Sequence, residues 1–165
     1  MVLRHNVGDK ILINDKICEI KNMTKQMISC IAIEQVEESG VPDTKITLFQ
    51  ALLKSDKMEY VIQKSVELGV YKVEPFVSKN VVVKLDEKDK VKKVDRWNKI
   101  SLEASKQCGR SDIVSIEKVN SFSEMLDKLK DFDMFIVSYE NETKSLKNII
   151  RKNWGLKNIA IIIGA

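Results

Sequence analysis

The sequence predicts an α/β protein: a short β-rich region over residues 1–44, then a mostly parallel α/β domain over residues 45–165. Three observations carry this prediction. The first region holds short apolar runs separated by turn residues. From Lys45 onward, apolar strands alternate with segments whose apolar residues recur every three or four positions. Such alternation builds right-handed βαβ units around a parallel sheet. Last, Asn158-Ile-Ala-Ile-Ile-Ile163 lacks polar alternation, the mark of a strand buried on both faces.

In chain order, Lys10–Asn14 and Lys16–Ile20 flank an Asn14-Asp15 turn and predict a hairpin. Met27–Ile33 continues in the same style. Glu37–Asp43, rich in turn residues, is the expected linker. Lys45–Leu53 reads as a buried strand. Asp56 is the expected cap of a helix with Glu59 three residues on, Met58, Val61, Ile62 and Val66 as its apolar stripe, and Gly69 as its stop. Lys72–Val77 is the next strand. A long helix is expected from about Asp89 to Cys108, ended by Gly109. A short strand over Ile113–Val119 leads to a capping box, Ser121-Phe-Ser-Glu124, with Phe122, Met125, Leu126 and Leu129 behind it. Met134–Val137 is a strand, and Leu146, Ile149 and Ile150 mark a helix. On the terminal strand, Ile159, Ile161 and Ile163 are expected on one face, Ala160 and Ile162 on the other, with helices packed on both.

Composition excludes several classes. The 165 residues are 44% hydrophobic and 32% charged, with only 6 Gly and 2 Pro, which argues against collagen-like or disordered chains. No apolar run approaches the roughly 20 residues of a membrane span, and a cytoplasmic location with no membrane partner is expected. The charge of +4 permits a polyanionic partner without demanding one. Three scattered cysteines and a single histidine, His5, give no zinc pattern, so no metal is expected. Walker, GxGxxG, HExxH and GxSxG motifs are all missing from the sequence.

What remains are polar clusters at the predicted strand and helix ends. Gln50–Glu59 joins a buried strand to a helix N-terminus, where Lys54 and Lys57 would lie near free amide donors suited to phosphate. Its ordinary reading is a capped βα turn with exposed lysines. Ser105–Ser111 follows a helix, and Arg110 could fork onto a phosphate or carboxylate. Its ordinary reading is a glycine stop with a nearby cation. Ser138-Tyr-Glu-Asn141 follows a strand, and Arg4-His5 is a minor fourth cluster.

Together these stretches resemble the 16S ribosomal RNA uracil-N3 methyltransferases, of the RsmE type and the SPOUT class. The matching residues are Val2-Leu-Arg, Val7-Gly-Asp, Gln50-Ala-Leu-Leu-Lys-Ser-Asp-Lys-Met-Glu59, Gln63–Val70, Pro75-Phe, Arg96-Trp-Asn-Lys-Ile, Glu103-Ala-Ser-Lys-Gln-Cys-Gly-Arg110 and Ile159–Gly164. Their order and spacing span nearly the whole chain. The resemblance implies a PUA-like β-barrel over 1–44 that helps hold RNA, and a SPOUT domain over 45–165 with a deep trefoil knot. It also implies a homodimer, S-adenosylmethionine as cofactor, and 16S ribosomal RNA or the small ribosomal subunit as partner. The family's cofactor strand continues Ile-Gly-Pro-Glu-Gly-Gly, whereas here Gly164 is followed by Ala165. The barrel is therefore expected to be incomplete at its start and the knot at its end, with the 165 residues alone inactive and not binding the cofactor. Lys79-Asn80-Val81 stands where the family often has Glu-Arg-Ser.

Uracil N3 carries a proton and is a weak nucleophile, so methyl transfer needs alignment and help with that proton. The resemblance assigns RNA positioning to Arg4, Lys54, Lys57 and Arg110, and a border on the cofactor to Tyr139, Glu140 and Gly164. It names no catalytic base. Glu59 is conceivable, though a capping role explains it more simply. The competing classes are a non-enzymatic RNA-binding module and another α/β transferase with a nucleotide site at the sheet edge. Lys54, Gly164 and Tyr139-Glu140 are expected on one edge of the sheet, since each follows a parallel strand.

Overall fold

The computed structural model describes residues 5–13, 16–35, 42–78 and 86–164. The chain divides into two compact units, Met1–Val41 and Pro42–Ala165.

The first unit is an antiparallel sheet of β1 (Lys10–Ile13), β2 (Lys16–Met23) and β3 (Ile28–Gln35), in the order β1-β2-β3. In β2 Cys18 and Ile20 are buried on one face and Lys21 faces out, while the exposed Lys16 lies before a register shift at Ile17/Cys18. The N–H of Gly8 donates to the Ile20 carbonyl, and the N–H of Ile20 donates to that of Asp9, tying the leading turn to β2. Among the described residues this is an open three-stranded sheet, not a closed barrel. The Asn14-Asp15 turn lies outside the described residues, as does most of the expected linker.

The second unit is a five-stranded, fully parallel sheet in the order β6-β5-β4-β8-β7. Its strands are β4 (Lys45–Ala51), β5 (Lys72–Phe76), β6 (Ser115–Ile116), β7 (Met134–Val137) and β8 (Asn158–Ile163). The helices are α1 (Ser55–Glu67), α2 (Glu87–Cys108), α3 (Phe122–Lys128) and α4 (Leu146–Lys152). The pairing of central β4 with β8 could not be read from periodicity.

Two apolar layers hold the sheet. On one face Leu48 and Val73 pack with Met58, Ile62 and Val66 of α1 and Trp97 and Ala104 of α2. On the other, Phe49, Ala51, Phe76, Ala160 and Ile162 meet Met125 and Leu129, and Phe132 stands edge-on to Phe49 at 5.6 Å between ring centres. The terminal strand is less enclosed than expected. Ala160 and Ile162 are buried, but Ile159 and Ile161 are half-buried and Ile163 is 40% exposed. Its outer neighbour β7 is an edge strand with Phe135 and Val137 exposed.

Several boundaries move for physical reasons. α1 starts one residue before Asp56: Lys54 is the N-cap and gives no side-chain cap, while Asp56 sits in the first turn. α2 starts two residues before Asp89, because the Asp86 side chain accepts from the Asp89 N–H at 2.7 Å. Gly109 closes α2 in the left-handed conformation, as expected. β6 shrinks to two residues. Pro75 turns its carbonyl toward this segment but has no N–H to give, so the ladder breaks there and resumes only as a single bridge between Phe76 and Asn120. The Ser121-Glu124 capping box is present in both its hydrogen bonds. Of the residues expected behind it, Met125 and Leu129 are buried, whereas Phe122 and Leu126 are exposed.

Candidate functional site

Parallel strands bring their carboxyl ends to one edge, and the register fixes which residues meet there. Gln50 of β4 lies beside Ile163 of β8, and Val137 of β7 beside Ile162. The Ser138 N–H donates to the Ile162 carbonyl at 3.0 Å. The loops that begin at Leu52, Ser138 and Gly164 therefore leave from the same edge. In open parallel sheets this is where ligands bind.

The tightest point on this edge is Gly164. Its φ is +95°, and a Cβ built there would lie 2.7 Å from the Ala51 Cβ. Only glycine permits so close a strand-end approach. Beneath it, Gln50 is 2% exposed, and its amide donates to the carbonyls of Ala51 at 3.0 Å and Ile163 at 3.4 Å. One buried side chain thus joins the ends of β4 and β8. Around this point stand exposed polar groups. Lys54 and Lys57 flank the start of α1. Tyr139 and Glu140 follow β7 and face solvent, and the Tyr139 hydroxyl accepts from the Asn141 amide at 3.2 Å. Just beyond, the Glu142 carboxylate accepts the backbone N–H groups of Lys144 and Thr143. Those bonds hold it below the ordinary carboxylate range.

The expected coincidence of Lys54, Gly164 and Tyr139-Glu140 on one edge is what the structure shows. Arg110 is the exception. It was expected to be exposed and available to RNA, yet its side chain is only 13% exposed. Its guanidinium forks onto Asp112 at 2.9 and 2.7 Å and donates to the Val66 carbonyl at 3.1 Å. The fork holds the Asp112 carboxyl below its ordinary range. Val66 lies near the far end of α1 from Lys54, about 18 Å away at 1.5 Å per residue. The reason is topological. A helix that follows a parallel strand runs back to the amino edge, so the stop after α2 falls on the wrong edge for the site. Arg110 is a strut between the end of α1 and the loop after α2.

Glu59 is neither a cap nor a free base. It binds Arg96 through both carboxylate oxygens, at 2.8 and 2.9 Å, and links α1 to α2. Arg4 and Asn80 lie outside the described residues. Among the described residues no three His, Cys, Asp or Glu side chains gather as a metal site.

Sequence reasoning missed a polar cavity of about 800 Å³ at the opposite, amino edge, lined by Lys45, Tyr71, Lys72, Glu74, Lys128 and Lys157 among others. Among its lining residues is the buried Glu74, read from the sequence only as part of a strand. Burial pushes its carboxyl up. Hydrogen bonds from Lys128 at 2.6 Å, Lys72 at 2.9 Å and Asn120 at 2.9 Å overcome that and hold it below the ordinary range. With its charges matched internally, this cavity is a structural ion cluster. An acid placed mid-strand in an apolar run was the available signal.

Comparison with known proteins gives the following. A family model described as an RNA methyltransferase domain matches residues 40–165. The ribosomal RNA small subunit methyltransferase E of Bacillus subtilis (strain 168) is 37% identical over 148 residues, which is 87% of this chain and 58% of the relative. The chain thus spans about three fifths of that relative's length. The crystal structure of a hypothetical protein superimposes with a TM-score of 0.84 at 34% identity, over 96% of this chain and 66% of the other. A protein of Legionella pneumophila, solved with its bound cofactor S-adenosylmethionine, gives 0.72 at 25% identity, over 90% and 60%.

Proposed function

The chain belongs to the RNA methyltransferase domain family, and from that premise we propose that the whole protein transfers a methyl group from S-adenosylmethionine to N3 of a uridine in 16S ribosomal RNA. The observation that carries the proposal is the Gly164–Ala51–Gln50 junction at the carboxyl edge, with Lys54 and Tyr139-Glu140 opening onto the same side. The missing Cβ at Gly164 lets the ends of β4 and β8 close up, with Ala51 filling the space a side chain would take, and Gln50 keeps the two strand ends in fixed relation. This edge is the place the reading gives to S-adenosylmethionine, the cofactor with which the Legionella protein was solved.

When bound, the cofactor supplies a methyl group on a cationic sulfonium. The chain's own residues do the rest. Lys54 and Lys57 draw RNA phosphates to the start of α1, where helix amides add to the attraction. Tyr139 and Glu140 border the cofactor beside Gly164. The pairing edge of uracil must leave its stack to reach this place. Glu59 is engaged by Arg96 and ties α1 to α2. The reading includes a homodimer, a PUA-like barrel, a SPOUT knot and a cytoplasmic place of work, all on the strength of the family resemblance.

The test is incubation of the protein with small ribosomal subunits and S-adenosylmethionine carrying a labelled methyl group. Digestion and mass spectrometry then locate the label. One uridine methylated at N3 is the expected result. Gly164→Ala should weaken cofactor binding at least tenfold by calorimetry, because its Cβ meets Ala51. RNA binding without cofactor binding or methyl incorporation would overturn the proposal in favour of a non-enzymatic RNA-binding module.

A further inference from the structure

Charge is evenly mixed along most of the chain but not between Thr143 and Lys157. That stretch holds Lys144, Lys147, Arg151, Lys152 and Lys157 and no acidic residue. In a sequence with 28 basic and 24 acidic residues, such a run is a local excess. It coincides with one element. α4 has no buried residue, no acidic residue in its first turn, and Arg151 and Lys152 in its last. Among the described residues, no ion pair engages Lys147, Arg151 or Lys152. Lys144 and Lys157 make only long contacts, 3.9 Å to Glu142 and 3.4 Å to Asp43.

Helical geometry turns this excess into a row. Lys147 and Arg151 are four residues apart and share one side of α4, and Lys144 precedes its Ser145 cap. The row starts in the loop that leaves the carboxyl edge after β7 and runs toward the amino edge, where β8 begins. At its far end the turn made by Gly155, at φ +94°, presents Trp154, which is 85% exposed. A side chain of that size in water forfeits its burial energy. An exposed indole just after a helix whose Lys147, Arg151 and Lys152 have no ion-pair partner among the described residues is the arrangement that binds single-stranded nucleic acid, with bases stacked on the ring and phosphates on the cations.

We infer that α4 and Trp154 form a track for single-stranded RNA leading away from the carboxyl edge, with Lys147 and Arg151 on successive phosphates and Trp154 stacked on a base. This rests on the proposed RNA methylation and adds a contact surface to it. The sequence pointed to the strand-end clusters alone. α4 was noticed only for Leu146, Ile149 and Ile150.

The test compares the full protein with three variants: Lys147→Glu/Arg151→Glu, Trp154→Ala, and Lys88→Glu/Lys92→Glu. The last makes the same charge change on exposed positions of α2. RNA affinity is measured over a range of salt, alongside methyl transfer and melting temperature. The α4 double variant should weaken RNA binding about tenfold or more and flatten the salt dependence by about 0.7 log units per lost phosphate contact. Trp154→Ala should weaken it about fivefold or more, and Trp154→Phe should restore most of it. The KM for RNA should rise while the KM for the cofactor and the melting temperature hold, and the α2 variant should behave as wild type.

If wild type binds and methylates RNA and the α4 variants match it, this inference alone is overturned. If wild type neither binds nor methylates RNA, the functional reading falls and takes this inference with it. A change of oligomeric mass in the α4 variants with unaltered RNA affinity would assign the surface to a protein and also overturn the track.

Discussion

Arg110 shows how far a residue's role depends on contacts that a sequence does not display. Its glycine neighbour and its place after a helix suggested a free cation. The structure gives all three of its donor groups to Asp112 and Val66. Replacing it leaves Asp112 and a helix-end carbonyl without their partner. Charge-assisted bonds of this kind contribute about 1.5–3 kcal/mol each in favourable cases, and partial exposure to water lowers that. Arg110→Ala is therefore expected to cost roughly 1–3 kcal/mol in urea denaturation while leaving methyl transfer per folded molecule unchanged. A variant with native stability and lost RNA turnover would restore the original reading. Gly164 went the other way. Its place on the carboxyl edge followed from the alignment of parallel strand ends, while its close approach to Ala51 had no signal in the sequence. Glu74 was missed because its partners Lys128 and Asn120 lie 54 and 46 residues on, beyond any local pattern.

At the scale of elements, periodicity served well and end positions served poorly. The stripe of α1 and the strands β4 and β5 lie where apolar spacing put them, whereas in α2 Trp97 and Ala104 are buried but Val91 is exposed. The starts of both helices shifted, since a cap is decided by one side-chain hydrogen bond. The shift at α1 is informative. Its cap position is filled by Lys54, which gives no side-chain bond and puts a cation at the positive end of the helix dipole. A sequence selected for helix stability would not choose lysine here. Lys54→Asp should therefore stabilise the domain by about 0.5–1.5 kcal/mol, read as a higher denaturation midpoint. The same variant should lose RNA affinity, because it reverses the charge at the carboxyl edge. Stability and binding moving in opposite directions would mark Lys54 as functional. Both moving downward would mean that the lysine supports the fold.

At the scale of the molecule, the α/β class followed from alternation, but the strand order did not. Nothing local says that β8 inserts between β4 and β7. The carboxyl edge was still predictable, because any parallel order gathers strand ends. Electrostatics also acts at this scale. Glu74 and Asp112 are both held below their ordinary values of 4.5 and 3.8, and Glu124 in the α3 capping box is pulled down to about 2 by the Ser121 backbone and side chain and by Lys118. A carboxyl with a lowered folded-state value binds protons more readily when unfolded, so stability rises with pH across that interval. The contribution is complete above about pH 5. It begins to fall as pH drops through 4.5 and is gone below the folded-state values. Denaturation midpoints should be level from pH 7 to about pH 5 and then decline, and Glu74→Gln should lower the plateau and shallow the decline. A plateau extending unchanged to pH 3 would contradict this assignment.

The pairing of β4 with β8 has a consequence for how the protein is made. Gln50 and Ile163 touch although 113 residues separate them. During synthesis β4 emerges early, and one of its two edges stays unpaired until β8 has been translated. At about 5–20 residues per second that interval lasts on the order of ten seconds. Contacts of such separation are also slow to form in a free chain, because the intervening loop must close before they reward it. The nascent protein therefore carries an open apolar strand edge while those 113 residues are made, and chaperones that shield such edges should matter more to its yield than to its final stability.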